Sequence, residues 1–512
     1  MRGGFALFNF LDYFNKSVMV KLGMNAPITE RQFFELEIKH WQASESRIAQ
    51  ITGERYYHGN HDILRRERTA IGKSGTLEVV HNLPNNRIVD NQYAKMVDQK
   101  TNYLLGKPFT LKTENKDYED ALKDIFDKKF HRLFQNLGED CINSGIGWLY
   151  VYYDEDRQFC FKRFAPQEVL PFWRDAEHTA LECVVRVFDV VIYEGTAAKT
   201  IQKVEIYKDT GIERYVLKGG ALTEDTDRPS GSYMVIEDAA GSPKPYNWGR
   251  IPIIPFKFND EEIPLIRKIK SLQDAINATI SDFQNNMQED SRNTILVIKN
   301  YEGENLADFR HNLAAYGAIK VRTIDGAEGG VDTLQIDVNS ENYQILLNLL
   351  KKALIENAMG FDAKELKSGA PNQMNIKSMY TDVDLDANGM ETEYQASFEL
   401  LLWFINAHLS NSGEGDFDGE DIEIIFNRDM LMNESDIITD IKNSVGLLSE
   451  ETLVANHPWV NDLEGELERI AKEKQGQVDA YAGSFPPPGS GPPSDIGGGM
   501  MNEQSRLLEA AV

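Results

Sequence analysis

Acidic side chains alternate along residues 382–393 in the pattern of a calcium-binding loop. The oxygen-bearing side chains that fit the ligand positions are Asp382, Asp384, Asp386, Asn388 and Glu393. An EF-hand loop also needs glycine at its sixth position, where the chain turns sharply. That position is Ala387 here, and Gly389 comes two residues too late. The stretch is better interpreted as a helix that carries solvent-facing acids, and a metal site is the alternative.

A second acidic cluster, residues 413–421 (GEGDFDGED), mixes acids with glycines. Such composition is typical of solvated turns. We therefore expect a turn between a helix and a strand here, with a metal site again as the alternative.

Gly72, Lys73 and Ser74 match the end of a phosphate-binding loop. That loop requires another glycine five residues before Gly72, because the backbone amides between the two glycines cradle the phosphates. The residue at that position is Glu67, and no clear strand precedes it. We therefore expect no nucleotide site.

Histidine and cysteine spacing gives no indication of catalysis. His58 and His61 are close in sequence but have no third ligand candidate nearby, so we interpret both as surface polar residues. The sequence contains no G-x-S-x-G elbow, H-E-x-x-H zinc motif or C-x-x-C pair. It therefore predicts neither an enzyme nor a bound cofactor.

The net charge limits the possible partners. Asp and Glu number 81 against 54 Lys and Arg, which gives a formal charge of -27. Tight general binding to nucleic acid depends on cationic groups that displace counterions. The balance argues against such binding, but it is compatible with DNA that passes by without being held.

Several features favour a cytosolic protein. The only cysteines are Cys141, Cys160 and Cys183, an odd and widely spaced set that indicates reduced thiols. Asp12 interrupts the apolar N-terminal stretch, so we expect no signal peptide. No apolar run approaches the length that spans a membrane.

The predicted elements change character near residue 264. From 264 to 287 apolar residues recur every three or four positions, which predicts an amphipathic helix of six to seven turns. The elements expected before it are a helix at 30–50, a helix across 85–108, a β-rich stretch at 147–220, a loop-rich stretch at 220–248 and a short strand at 250–258. In the second of these helices Ile88, Tyr93, Met96, Val97 and Leu104 recur at helical spacing.

A compact α/β insert separates this helix from a second one at 340–359, so the pair forms a stalk with a cap at its far end. The residues expected to pack the two helices together are Ile269, Leu272, Ile276, Ile280, Phe283, Leu347, Leu350 and Leu354. The elements expected afterwards are a polar loop, a third helix at 374–408, a strand within 421–429 and helices from 433 to about 475. The mixture predicts the α+β fold class.

Short segments follow one another in a recognisable order. They are 56–63 (YYHGNHDI), 85–109 (NNRIVDNQYAKMVDQKTNYLLGKPF), 143–156, 163–173, 248–260, 375–391 and 426–436. Each alone is weak, but the shared order is specific. From about residue 50 to 475 the chain resembles the portal proteins of long-tailed double-stranded DNA phages, in the siphovirus-type branch. Asn375 and Asp386 stand where that family pattern has alanine and lysine.

The resemblance implies a phage portal fold with named regions. They are a wing at 1–262 and 376–432, stem helices at 263–288 and 340–360, a clip at 289–339, a tunnel loop at 361–375, a crown at 433–478 and a disordered tail at 479–512. It also implies a ring of twelve subunits at one capsid vertex, in the host cytoplasm during assembly and then in the virion.

Partners and channel residues follow from the same resemblance. The implied partners are the large terminase subunit, a head-completion or adaptor protein, the major capsid and scaffolding proteins, and double-stranded DNA in transit. The terminase subunit would supply the ATPase. No membrane is implied as a partner. The residues implied along the channel are Lys364, Lys367, Ser368, Gly369, Asn372, Gln373 and Lys377.

Two other classes remain open on the residues alone. A non-viral oligomeric scaffold could also use a stalk with a cap, and a monomer or dimer in solution would favour it. A metal-dependent nuclease could use the acidic clusters, and stabilisation of the fold by a metal would favour that class.

Overall fold

The computed structural model describes residues 28–71, 75–80, 83–237, 242–290, 295–299, 330–334, 340–362, 373–428, 434–460 and 463–482. The chain divides into two compact units, Met1–Leu431 and Met432–Val512. Helices and sheets are mixed in the first unit, which confirms the α+β class expected from the sequence.

Helices of the first unit occur in three groups along the chain. They are α1 (Glu30–Gln42), α2 (Glu45–Tyr57), α3 (Gln92–Leu105), α4 (Lys116–Ile125), α5 (Lys128–Ser144), α6 (Leu265–Asp290), α7 (Ser340–Asn357) and α8 (Gln373–Ser412). The helices expected at 264–287, 340–359 and 374–408 are confirmed. Within the described segments, no helix combines the length and apolar character needed to cross a membrane.

The single helix expected at 30–50 is in fact two helices. Thr29 caps α1 through a reciprocal pair of hydrogen bonds with Gln32. The hydroxyl of Ser44 then accepts the Arg47 N–H and starts α2. Serine in an extended conformation is a strong N-cap, and here it outweighs the continuous helical spacing.

Strands of the first unit pair in antiparallel sheets. They are β1 (Thr69–Ile71), β2 (Leu77–Val79), β3 (Thr110–Lys112), β4 (Ile146–Tyr153), β5 (Phe159–Phe164), β6 (Val169–Trp173), β7 (Leu181–Glu194), β8 (Ala197–Lys208), β9 (Gly211–Lys218), β10 (Ala221–Glu224), β11 (Met234–Glu237), β12 (Pro243–Tyr246), β13 (Ile253–Lys257), β14 (Ile295–Lys299), β15 (Gly330–Leu334) and β16 (Glu423–Ile425). The largest sheet has the order β10-β9-β8-β7-β6, and another has the order β13-β4-β5. Three of these strands, β10, β11 and β12, lie in the stretch 220–248 that we expected to be loop-rich.

Aromatic rings fill the core between α5, α8 and β13. Phe134 of α5 contacts Phe256 of β13 and Phe398 of α8, with ring centroids 5.5 and 5.3 Å apart. Burial of each such ring contributes about 1.5–3 kcal/mol. A separate cluster joins Phe33 and Phe34 of α1 to the largest sheet. These cores hold the helices that carry the polar sites described below.

The helices α6 and α7 pack against each other. Tyr343, near the start of α7, contacts the ring of Phe283, near the end of α6, at 5.0 Å. The chain therefore runs back along α6. Between the two helices, β14 and β15 form an antiparallel pair. The helix and the further strand expected inside 289–339 fall on residues outside the described ones.

The three cysteines are free thiols, as their spacing indicated. Burial raises the pKa of Cys141 and of Cys183 well above the usual range. These two thiols are therefore held in the neutral, unreactive form.

The second unit is helical. Its helices are α9 (Glu434–Asn443), α10 (Glu450–Ala455) and α11 (Leu463–Ala482). Ser449 caps α10 by accepting the Thr452 N–H, and Lys474 of α11 forms an ion pair with Glu450 of α10. Leu447 and Trp459 are largely exposed on this unit. The helices expected from 433 onward are confirmed here.

Candidate functional site

The residues implied to line the channel fall mostly outside the described part of the chain. Lys364, Lys367, Ser368, Gly369 and Asn372 all precede α8 in residues that the structure does not describe. Gln373 and Lys377 lie in the first turns of α8, where only the backbone is described. The Gly72-Lys73-Ser74 segment also lies outside the described residues.

The residues expected to pack the stalk lie between α6 and α7 or against the main core. Those that are buried are Ile269, Ile276 and Leu354. Those that are half-buried are Leu272, Ile280, Phe283, Leu347 and Leu350. All except Phe283 belong to the main apolar core or pack against it.

One face of α6 is polar and yet fully buried. Its residues, which we call the ladder, are Gln273, Asn277, Ser281 and Asn285. Each side chain accepts a backbone N–H from residues 86–93, which lead into α3 and form its first turn. The accepted pairs are Tyr93 N–Gln273 Oε1 at 2.8 Å, Asp90 N–Asn277 Oδ1 at 3.0 Å, Ile88 N–Ser281 Oγ at 3.0 Å and Asn86 N–Asn285 Oδ1 at 2.7 Å.

The spacing of these bonds matches two periodicities. Residues 86–90, which we call the strap, donate from alternate residues, and the ladder accepts at every fourth. Two residues of extended chain span about 6.7 Å, and four residues of helix about 6.0 Å. The strap therefore runs along α6 in register. The Asp90 carboxylate also binds Lys351 Nζ of α7 at 2.5 Å, so the strap contacts both helices of the pair.

The strap corrects our interpretation of residues 85–108. The helix there begins only at Gln92, and Ile88, which matched the helical spacing, lies before it. Asn91 caps α3 by accepting the Ala94 N–H. The backbone of the strap finds its partners on a helix nearly two hundred residues later in the chain, which no local pattern indicates.

The segment 56–63 packs against the ladder through His61. This ring is fully buried and stacks on Tyr56 at 4.3 Å, which makes our interpretation of His61 as a surface residue wrong. Its Nε2 lies 2.9 Å from the Tyr56 carbonyl, and Asn277 Nδ2 donates to its Nδ1 at 2.7 Å. These bonds require the neutral ring with its proton on Nε2. Burial lowers the pKa of His61. His58, by contrast, is exposed as expected.

A charged network surrounds this contact. Lys270 Nζ of α6 binds Asp62 and Asp274, each at 2.6 Å, and the Tyr56 hydroxyl donates to Asp274 at 2.5 Å. Although burial opposes it, hydrogen bonds from Lys270 and Arg55 hold the pKa of Asp62 well below its usual range. The segment is thus fixed to α6 by neutral and charged contacts together.

Residues 382–393 lie in the middle of α8, which confirms the helix and excludes the loop conformation of an EF-hand. Their acids are not all turned to solvent, however. Arg428 Nη1 binds Asp384 at 2.5 Å, and its Nη2 binds Glu391 at 2.7 Å and Asn388 at 2.5 Å. The Tyr103 hydroxyl of α3 donates to the same Asp384 at 2.5 Å.

Asp386 has a partner of its own. Lys100 Nζ of α3 binds its carboxylate at 2.6 Å and the Met359 carbonyl at 3.2 Å. The Lys100 side chain is 4% exposed and that of Asp386 13%, so this is a buried ion pair. Burial lowers the pKa of Lys100 although Asp386 acts in the opposite direction. Our expectation of solvent-facing acids was therefore wrong for Asp386. Asp382 is exposed as expected, and the Asp384 side chain is 39% exposed although Arg428 and Tyr103 bind it.

The turn expected at 413–421 connects α8 to β16. Gly413, Gly415 and Gly419 take positive φ values there, which glycine adopts without strain. Phe417 in this turn is buried and stacks on Tyr118 of α4 at 4.6 Å. Across the described residues, no group of three or more His, Cys, Asp or Glu side chains has the arrangement of a metal site.

Sequence reasoning missed most of the residues that form these contacts. Lys100, Tyr103 and Arg428 lie inside segments that carry the family resemblance, yet nothing local shows that they meet on α8. The ladder did leave a signal. It is a stripe of uncharged polar residues, four apart, on a helix whose other polar positions include charges.

Comparison with known proteins identifies the family. A family model described as "Phage portal protein, SPP1 Gp6-like" matches residues 35–480. The portal protein of Bacillus phage SPP1 is 30% identical over 435 residues, which cover 83% of each chain. The portal protein of Clostridium phage phiCD119 is 25% identical over 450 residues, which cover 85% of this chain and 94% of that protein. The chain therefore belongs to the SPP1 Gp6-like family of phage portal proteins, and its function is that of a portal, the connector between the head and the tail of a phage.

Proposed function

We propose that this chain assembles into a ring of twelve subunits at one vertex of the capsid. DNA passes through the ring during packaging and again at ejection. The observation that carries the ring is an exposed apolar face on α7, where Ile345, Leu346 and Leu349 are each about half exposed. A contiguous apolar face of this kind marks a site for another protein surface. A contact repeated from one subunit to the next closes into a ring.

The regions of the ring are proposals that follow the family architecture. They are a wing at 1–262 and 376–432, a stem formed by 263–288 and 340–360, a clip at 289–339, a tunnel loop at 361–375, a crown at 433–478 and a tail at 479–512. The packing of α6 against α7 supports the stem. The clip, at the far end of that pair, is the docking site for the large terminase subunit and later for a head-completion protein. The major capsid and scaffolding proteins contact the outside of the ring.

The channel is proposed to be lined by the segment that precedes α8. Lys364 and Lys367 precede this helix, and Lys377 lies in its second turn. Isolated lysines touch phosphates one at a time, and each exposed contact is weak. The net charge of -27 keeps DNA from being held elsewhere along its path. The ring assembles in the host cytoplasm and remains in the virion.

The ring is tested on purified protein by electron microscopy and light scattering. Leu346→Ser together with Leu349→Ser removes the apolar face of α7, and we expect folded monomers in place of rings. The matched control is Val191→Ser with Tyr193→Ser, since these apolar side chains on β7 are somewhat more exposed than Leu346 and Leu349. Rings that persist in the α7 variant, or that are lost in both variants, would contradict the proposed interface.

The channel is tested in a packaging assay with terminase and procapsids. Lys364→Glu with Lys367→Glu leaves rings intact and reduces the rate of packaging or the length of packaged DNA. Heads that fill at the normal rate and to the normal length would remove the proposed role of residues 361–375.

A further inference from the structure

The polar side chains of α8 lie on two sides of the helix. Asp384, Asn388 and Glu391 are spaced by four and three residues, so they share one face at about 100° per residue. Asp386 lies about 200° around the helix from Asp384. Arg428 holds the first face, and Lys100 holds the other. We call this pair of cations the clamp.

Both cations of the clamp are anchored to the same stretch of chain. Lys100 belongs to α3, which ends at Leu105 and leads into β3. Asn427, next to Arg428, donates to the Pro108 carbonyl at 2.7 Å and to Thr110 Oγ1 at 2.8 Å. In addition, β16 just before it pairs with β3, with Ile424 opposite Leu111. Residues 100–112 therefore supply the fixed frame for both sides of α8.

A helix held on one face can roll, whereas a helix held on opposite faces cannot. Rotation of α8 about its axis would move Asp384 from Arg428 and Asp386 from Lys100 at the same time. A shift along the axis is opposed as well, because one guanidinium spans acceptors on successive turns. Buried apolar residues of α8, among them Val383, Met390 and Phe398, also resist such motion, and the ion pairs add directed contacts on opposite faces.

We propose that Arg428 and Lys100 are positioning residues of the DNA channel. They fix the rotation of α8, the helix that follows the proposed channel segment 361–375. The acids they bind, Asp384, Asp386 and Glu391, are each paired with a cation, which reduces their repulsion of DNA. The inference rests on the proposed function, in which the segment before α8 lines the channel.

The first test compares two arginines that each bind two acids. Arg428→Gln removes the cation from one side of α8 and leaves the Tyr103 hydroxyl as a remaining partner of Asp384 there. Arg174→Gln removes an arginine that binds Glu182 at 2.7 Å and Asp209 at 4.0 Å, away from α8. We expect both variants to form rings and only Arg428→Gln to package DNA several-fold more slowly or to a different length. Equal packaging by both variants, whether normal or impaired, would overturn the proposal.

The second test separates positioning from general stability. Lys100→Asp and Asp386→Lys each place like charges together, whereas the combined variant restores an ion pair with reversed polarity. We expect the combined variant to recover packaging that both single variants lose. Failure of recovery in rings that remain intact would oppose a role for this pair. Should Arg428→Gln prevent ring formation, Asp384→Asn with Glu391→Gln weakens the same contacts while it keeps the arginine.

The outcomes also separate this inference from the proposed function. A wild-type chain that forms no rings, or loop variants that package normally, would oppose the channel itself. If the wild-type chain forms rings and the loop variants impair packaging, normal packaging by Arg428→Gln rejects only the clamp.

Discussion

The helices α6 and α8 are both positioned by polar side chains, but with different chemistry. The ladder on α6 is uncharged, fully buried and bound mainly to backbone N–H groups of the strap. The clamp on α8 is ionic, and Arg428 within it is about a quarter exposed. The strap is thus held to α6 mainly by neutral bonds in a dry interface, whereas α8 is held by one buried ion pair and by one arginine that solvent partly reaches.

The difference has energetic consequences. A neutral amide that meets a backbone N–H forms a bond worth about 0.5–1.5 kcal/mol net, with a modest desolvation penalty. A buried ion pair gains little over an apolar pair of the same shape, yet it becomes strongly destabilising when one partner is lost. The ladder therefore sets the register of α6 through several hydrogen bonds, each of which contributes a small free energy. The clamp sets the rotation of α8 through a few ion pairs, and loss of one partner in such a pair is strongly destabilising.

Removal of Lys100 has the largest expected effect. Lys100→Met leaves the carboxylate of Asp386 buried without a partner, and we expect the free energy of unfolding to fall by about 3–5 kcal/mol. Urea unfolding of the purified protein measures this loss. The control is Lys123→Met, which removes an exposed ion pair with Glu119 and should change stability by less than about 1 kcal/mol. Similar losses in the two variants would show that Lys100 is not specially buried.

The ladder comes next. Asn277→Ala leaves the Asp90 N–H and His61 Nδ1 without their partners, and we expect a loss of about 2–3 kcal/mol. Asn357→Ala is the matched control, because this exposed amide binds only the carbonyl of Ala353 in its own helix. Its effect should stay within about 0.5 kcal/mol. A difference near zero between the two variants would mean that water replaces Asn277 without cost.

The contrast between ladder and clamp also explains what could be predicted from sequence. The helices α6, α7 and α8 follow from apolar residues three or four apart, a local signal that survives folding. The break between α1 and α2 was missed because the apolar spacing continues through it, and only the capping side chain of Ser44 marks the start of α2. The strap was missed because its partners on α6 lie far along the chain, and His61 was missed because its burial depends on Asn277. The ladder residues are spaced by four on α6, but that spacing does not indicate which distant segment they bind.

Acid has opposite effects on the stability contributed by His61, at the ladder, and by Asp140, on α5. The lowered pKa of His61 means that the unfolded chain binds a proton which the folded protein resists, so stability at the ladder falls as pH drops below about 6.5. One such group can change the free energy of unfolding by no more than about 1.4 kcal/mol per pH unit. Burial raises the pKa of Asp140, opposite Arg163, to about 7, so this carboxyl has the reverse effect between pH 7 and 4.

The two contributions are resolved by paired variants. His61→Asn should reduce the acid-induced loss of stability, whereas Asp140→Asn should increase it. Urea midpoints at pH 7 and pH 5 measure both changes. An unchanged pH dependence in His61→Asn would show that the buried ring does not carry the acid sensitivity of the ladder.

The smallest expected effect is a difference in response to salt. The Debye length falls from about 8 Å at physiological ionic strength to about 3 Å at 1 M, and this screens charges that solvent reaches. Arg428 and its partners Asp384 and Glu391 are between 23% and 39% exposed, so we expect the stability lost in Arg428→Gln to shrink by a few tenths of a kcal/mol at 1 M salt.

Ser281→Ala supplies the uncharged comparison. It removes the acceptor of the Ile88 N–H in the ladder, and we expect a loss of about 1 kcal/mol that is equal at low and high salt. Because urea midpoints shift with salt in the wild-type chain too, the quantity to compare is each variant's difference from wild type at the same ionic strength. A salt-dependent loss in Ser281→Ala would mean that charges near α6 contribute to the hold of the strap. A salt-independent loss of stability in Arg428→Gln would mean that salt does not screen the Arg428 contacts, as it does not screen the ladder. The two helices would then differ in the charge of their contacts but not in the exposure of those contacts to solvent.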